Sequence, residues 1–199
     1  MSLDSLQFRL PLGSIPLLQK WIDGYPLHLT VTKKRTSKLG DYRKAQNGQH
    51  QISINGNLEP YLFFLVFTHE IAHLLAFERY SRRIAPHGME WKITFGKMIL
   101  ESIDLYPHDL QRLLLPFARS PKANFMASPD LVKYFERPDP TSTKTYLENL
   151  LPQDKFEFKG QSYLLKKKMK KNYLCEQLGT GRLYKFSALA KVEKLKIHE

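Results

Sequence analysis

The chain is almost without cysteine. Of its 199 residues only Cys175 carries a thiol. That excludes an internal disulfide and any metal cage built from several thiolates. Acidic residues are also scarce: 19 Asp and Glu stand against 31 Lys and Arg, a formal net charge of +12. This balance says nothing about fold. It favours polyanionic partners, nucleic acid before an anionic membrane surface. Long apolar runs are missing. The stretch from Tyr61 to Phe67 is cut off by Thr68, His69 and Glu70, too soon to span a bilayer. The opening "MSLDSLQFRLPLGSIPLLQKW" has no basic start followed by an apolar run, the pattern that directs secretion. The expectation is a reduced, cytoplasmic or nucleoid-associated protein with no signal peptide, no transmembrane segment and no membrane partner. What the sequence does have is 42% apolar residues, with 12 Phe and 10 Tyr, enough to build a packed core.

The pattern along the chain predicts an α+β protein. "SIPLLQKWIDG" reads as a short helix between a capping Ser14 and Gly24. "LHLTVTKK" alternates as a strand, and "DYRKAQNGQHQISIN" reads as two strands turning at Asn47-Gly48. Asn57 and Pro60 open a helix expected from about residue 58 to 80, apolar all round in its first half and hence buried. A second helix is expected from about Gly88, with Trp91, Phe95, Met98 and Ile99 on one face, and "PHDLQRLLLPF" is a third. Prolines then cluster, and residues 120–153 are expected to form a helical connector after a first domain of residues 1–119. Residues 154–199 alternate apolar residues with lysine and carry turn signals at Lys159-Gly160 and Gly179-Thr180-Gly181. They predict a small antiparallel β module. It holds 12 Lys/Arg against 5 Asp/Glu, a net of +7.

The chemistry concentrates in "HEIAH", residues 69–73. HExxH is short enough to arise by chance, but its placement adds information. On a helix, His69 and His73 share a face and can meet one ion, while Glu70 sits beside it, where a general base for an activated water belongs. Two hydrogen-bonded histidines in an ordinary core helix are the bland alternative. A helix this apolar has little reason to hold His, Glu and His together, because each needs a polar partner. A catalytic zinc needs a third protein ligand and an open position. Downstream candidates are His87, Glu90, Glu101 and His108. His87 fits best, since "SRRIAP" is long enough to turn the chain back and His87-Gly88 opens the next helix. A longer motif with a further histidine on the same stretch is excluded by Ala76 and Arg79, which stand where that pattern needs Gly and His.

"HEIAHLL" followed by "APHGMEWK", with "LGDYRKAQNGQHQISIN" upstream, resembles the SprT-like (Spartan-like) zinc metalloprotease family over roughly residues 15–103. The resemblance implies a zincin-like domain: a small β-sheet, an active-site helix and flanking helices. It implies one Zn²⁺ per chain held by His69, His73 and His87, with Glu70 as catalytic acid/base, and a protein substrate cut at peptide bonds. Many such proteins carry a Cys-based zinc ribbon after the protease domain. Here Cys175 stands alone, so a second zinc is not expected, and Tyr163, Leu165, Tyr184 and Phe186 are expected to pack where metal would sit.

The basic module has two readings. Lys166, Lys167, Lys168, Lys170 and Lys171 flank Tyr163 and Tyr173, a combination suited to phosphates and stacked bases. The resemblance also favours DNA, because Spartan-type proteases act on DNA-attached proteins. The other reading is a solvated strand face whose lysines guard an edge. "QHQISIN" is a candidate edge strand for an extended substrate. The function expected is a zinc-dependent metallopeptidase on DNA-associated proteins. The alternative is a non-enzymatic nucleic-acid-associated protein with a structural or vestigial zinc site. Retention of Glu70 favours the enzyme, since a structural site needs no acid/base.

Overall fold

The computed structural model describes residues 3–80, 84–124, 128–136, 143–170 and 172–195. The chain is mixed α+β and divides into two compact units, residues 1–135 and 136–199.

In the first unit, α1 (Ile15–Ile22) buries Leu18 and Trp21. Ser14 stands at the N-cap position as expected, but its buried hydroxyl makes no capping bond and donates to the Pro11 carbonyl instead. Gly24 takes φ +77 and turns the chain out of the helix. Three strands follow, β1 (Leu27–Thr32), β2 (Gly40–Lys44) and β3 (His50–Asn55). The β2–β3 turn falls at Asn47-Gly48, where Gly48 has φ +84. β3 lies in the middle, parallel to β1 and antiparallel to β2. Leu29, Ile52 and Ile54 point to one face and are buried. His28, Thr30 and Arg43 alternate to the other face and are exposed.

Helix α2 (Pro60–Tyr80) packs on the sheet. Phe63, Phe64, Leu65 and Phe67 are all wholly buried, so its surroundings, not an amphipathic stripe, hold it in place. Each such side chain contributes on the order of 1.5–3 kcal/mol by leaving water. Among the described residues α2 is the one helix long and apolar enough to cross a membrane, but 72% of its most apolar window is buried inside the protein. Helices α3 (Met89–Glu101) and α4 (His108–Arg119) pack in sequence behind it. Trp91, Phe95, Met98 and Ile99 of α3 are buried as expected. Gly96 lets α4 close in, because a Cβ there would collide with the Ala118 carbonyl oxygen.

The expected connector, residues 120–153, is not a separate piece. Helix α5 (Pro129–Phe135) belongs to the first unit and puts Leu131 into its core. Strand β4 (Lys144–Tyr146) and the 3-10 turn Leu147–Asn149 belong to the second. The prolines mark a boundary, but apolar Leu131, Val132, Leu147 and Leu150 on each side supply core to one unit or the other.

The second unit is a six-stranded sheet in the order β4-β9-β5-β6-β7-β8, antiparallel throughout. Its remaining strands are β5 (Lys155–Phe158), β6 (Gln161–Lys168), β7 (Asn172–Gln177), β8 (Leu183–Ser187) and β9 (Lys191–Lys194). Lys159 and Gly160 join β5 to β6 with φ of 51 and 74. Positive φ at both central residues matches the twist of a two-residue hairpin. Phe156, Tyr163, Leu165, Tyr173, Cys175, Phe186 and Val192 form the core. Tyr163, Leu165 and Phe186 thus pack as expected, whereas Tyr184 is 39% exposed.

Candidate metal centre

His69 and His73 lie one helical turn apart on α2, with ring centroids 5.0 Å apart. His87 comes to them from the turn before α3. That turn is closed by the Gly88 N–H donating to the Ala85 carbonyl. His87 itself has φ 59, a left-handed conformation unusual for a residue with a Cβ, and this strained position accompanies a ring held against α2. His87 Nε2 is 2.9 Å from His73 Nε2 and 3.2 Å from His69 Nε2. The three side chains form a group able to hold a metal ion, their ligand atoms all within 4.8 Å of one another. Tetrahedral zinc with Zn–N near 2.0–2.1 Å would set its nitrogens about 3.3 Å apart. The two close pairs are within a few tenths of an ångström of that spacing.

The protonation states suit a metal. Burial, then the neighbouring His73 and His87, pushes His69 down to about 2. Burial and His87 push His73 down to about 4, and burial lowers His87. All three rings are therefore neutral near pH 7, the form that ligates. Trp91 packs against all three rings, at centroid distances of 4.7, 5.3 and 4.6 Å from His69, His73 and His87. The sequence marks Trp91 as core; here it is also the floor of the site.

Glu70 is buried on the same helix, and burial followed by the charge of Asp41 pushes its carboxyl up to about 8, against the pull of Arg35 and Lys38. β2 begins directly over it. A Cβ on Gly40 would run into Glu70 Oε1 and come within 2.7 Å of Val66 Cγ1. Gly40 is a site residue that sequence reasoning missed, and its only signal is a glycine opening a strand.

The histidines and Glu70 face a cleft of about 830 Å³. Lys38, Gly40 and Tyr42 form one wall, and Phe77, Ile84 and Pro86 line another part of it. The strand beside the site is therefore β2. The expectation that "QHQISIN" is the edge strand is corrected: it is β3, paired on both sides. The hairpin pattern alone does not say which strand lies outermost. The parallel pairing of β1 with β3 decides it.

Among the described residues, the other candidate ligands stand outside the histidine group. Glu101 is tied to Lys20 and accepts a 2.9 Å bond from Trp21 Nε1. Those bonds hold its carboxyl below the ordinary value. Cys175 is fully buried, and burial pushes its thiol up to about 11, which leaves it inert as a nucleophile.

The basic strand departs from expectation in one respect. Tyr163 and Tyr173 are buried, 7% and 6% exposed, so they build the second core and offer no face to a base. The hydrophobic demand of a 64-residue unit outweighs display of its aromatics. Lys167, Lys168 and Lys170 are exposed, while Lys166 is paired with Glu176 at 3.0 Å. Lys171 lies outside the described residues.

No family model, curated protein or solved structure matches the chain.

Proposed function

We propose that the protein is a zinc-dependent metallopeptidase of SprT-like type with a zincin-like first unit. The observation that carries this reading is the convergence of three neutral imidazoles by their Nε2 atoms, beside a buried glutamate and open to a cleft. A structural site would be closed and would need no acid/base. The donor set, all imidazole nitrogen, suits zinc among the divalent ions. His69, His73 and His87 would hold Zn²⁺, which supplies Lewis acidity towards a carbonyl and acidifies water.

Glu70 accepts the proton of the attacking water and returns it to the leaving amine. Burial raises its carboxyl above the ordinary value, which makes the carboxylate a stronger base once it is ionised beside the metal. An extended substrate would add to the open edge of β2, taking its backbone bonds there. The exposed lysines Lys167, Lys168 and Lys170 would attract phosphate, which favours DNA-associated protein as substrate.

Glu70→Gln keeps shape and loses the base. The test is cleavage of a protein substrate by zinc-loaded wild type and by this variant, with zinc content measured in both. The reading expects equal zinc and activity lower by roughly 10²–10⁴-fold. Equal activity would remove Glu70 from the chemistry.

A further inference from the structure

Two rings from different elements lie nearly parallel to the ring of His73. One is Trp91 of α3, at 5.3 Å and 28°. The other is Tyr42 of β2, at 6.1 Å and 1°. Trp91 is held by the core, but Tyr42 is only partly buried at the cleft wall. What fixes it is a polar chain leading back to α2. The Tyr42 hydroxyl is 3.0 Å from His50 Nδ1. The opposite nitrogen, His50 Nε2, faces Glu78 Oε1 at 3.5 Å, and Lys44 holds the same oxygen at 2.5 Å.

The tautomer assigned from the Glu78 carboxylate, which as an anion only accepts, puts the proton on His50 Nε2 and leaves Nδ1 to accept from the Tyr42 O–H. His50, the middle link, is 1% exposed, so water does not compete for its ring, although Glu78 at the far end is exposed. Glu78 sits on α2, five residues after His73. The tyrosine is thereby referenced to the helix that carries two of the three histidines.

We propose that Tyr42 is a positioning residue for the metal ligand His73: the Glu78–His50 pair fixes its hydroxyl, and the fixed ring sets the plane in which His73 presents Nε2. This rests on the reading that His69, His73 and His87 hold a metal. Partners that orient a ligand ring are worth about 10–100-fold in metal affinity. The Tyr42 hydroxyl is engaged by His50, so the expected effect passes through the orientation of His73.

The test is Co²⁺ binding to the full chain, read by competition with a chelator and by the visible ligand-field spectrum. Wild type, Tyr42→Phe, His50→Phe and the double variant are compared. The proposal expects each single variant to bind Co²⁺ about tenfold more weakly with shifted bands. The double variant should be no weaker than the worse single one, because both remove the same bond. A purely structural role would alter thermal unfolding while leaving affinity and spectrum alone. If His50→Phe does not fold, Tyr42→Phe, which keeps the ring, decides by itself. Wild-type affinity and spectrum in Tyr42→Phe, or effects that add in the double variant, would overturn the proposal. Failure of the wild type to take Co²⁺ would overturn the metal reading itself, and this proposal with it, before any variant is compared.

Discussion

His87 is the residue on which the metal reading turns. It reaches the α2 pair only through a left-handed backbone conformation in the turn that Ala85 and Gly88 close. His87→Ala should therefore lower zinc affinity as much as His73→Ala does, and by more than the roughly 10–100-fold cost of losing an outer-shell partner. Isothermal titration against a chelator measures it. Full retention of zinc in His87→Ala would assign the third ligand elsewhere.

Glu70 gives a pH prediction. Its carboxyl is raised from 4.5 to about 8 in the folded chain, chiefly by burial. Between those values the folded state binds more protons than the unfolded one, so the wild-type contribution to stability falls as pH rises through that window. In chelator-treated protein, Glu70→Gln should therefore gain stability relative to wild type from pH 4.5 to about 8, and hold that gain above. Urea unfolding at about pH 4 and about pH 9, on either side of that window, reads the difference. An equal difference at both pH values would contradict the burial account.

Much of this scale is legible in the sequence. Helical spacing and the reach of "SRRIAP" single out His69, Glu70, His73 and His87. Tyr42 and Gly40 are not legible, because their roles depend on which strand passes over the helix. No periodicity encodes that.

At the scale of elements, the close approach of β2 to α2 and that of α4 to α3 each depend on one glycine. Gly96→Ala would drive a Cβ into the Ala118 carbonyl, and Gly40→Ala would drive one into Glu70 and Val66. Each should destabilise the fold by about 1–3 kcal/mol, the usual cost of overpacking. They should differ in a second readout. Gly40→Ala displaces Glu70 and should also lower peptidase turnover, whereas Gly96→Ala, away from the cleft, should leave the turnover of folded protein unchanged. Denaturant unfolding paired with a turnover assay separates them.

Strong local patterns make the elements themselves readable. Asn47-Gly48 and Lys159-Gly160 stand out as hairpin turns because positive φ restricts the residues that can sit there. The order of β1, β3 and β2 is not readable, since a parallel pairing between strands separated by a hairpin leaves no mark in either strand. The proline-rich stretch misleads for a related reason. Prolines show where regular structure stops, but not which core the short helices between them join.

For the whole molecule, charge distribution is the most informative global property. A net of +7 sits on residues 154–199, and Lys167, Lys168 and Lys170 of the described strand region are exposed. Replacing these three by Ser in the full chain should weaken DNA binding and flatten its salt dependence, by about one log unit of slope for each phosphate no longer neutralised. Fluorescence anisotropy at several salt concentrations measures both. Since Tyr163 and Tyr173 are buried, Tyr173→Phe should leave the affinity unchanged. An unchanged slope in the lysine variant would move the phosphate-binding surface to the first unit, where Lys33 and Lys34 are exposed.

The proposed function requires that His69, His73 and His87 together hold one zinc. The most direct measurement is anomalous diffraction from crystals of the full chain on the two sides of the zinc absorption edge. A single anomalous peak is expected at about 2.0–2.1 Å from the Nε2 atom of each of the three histidines. A peak coordinated by other residues, or none in protein purified with zinc present, would contradict it.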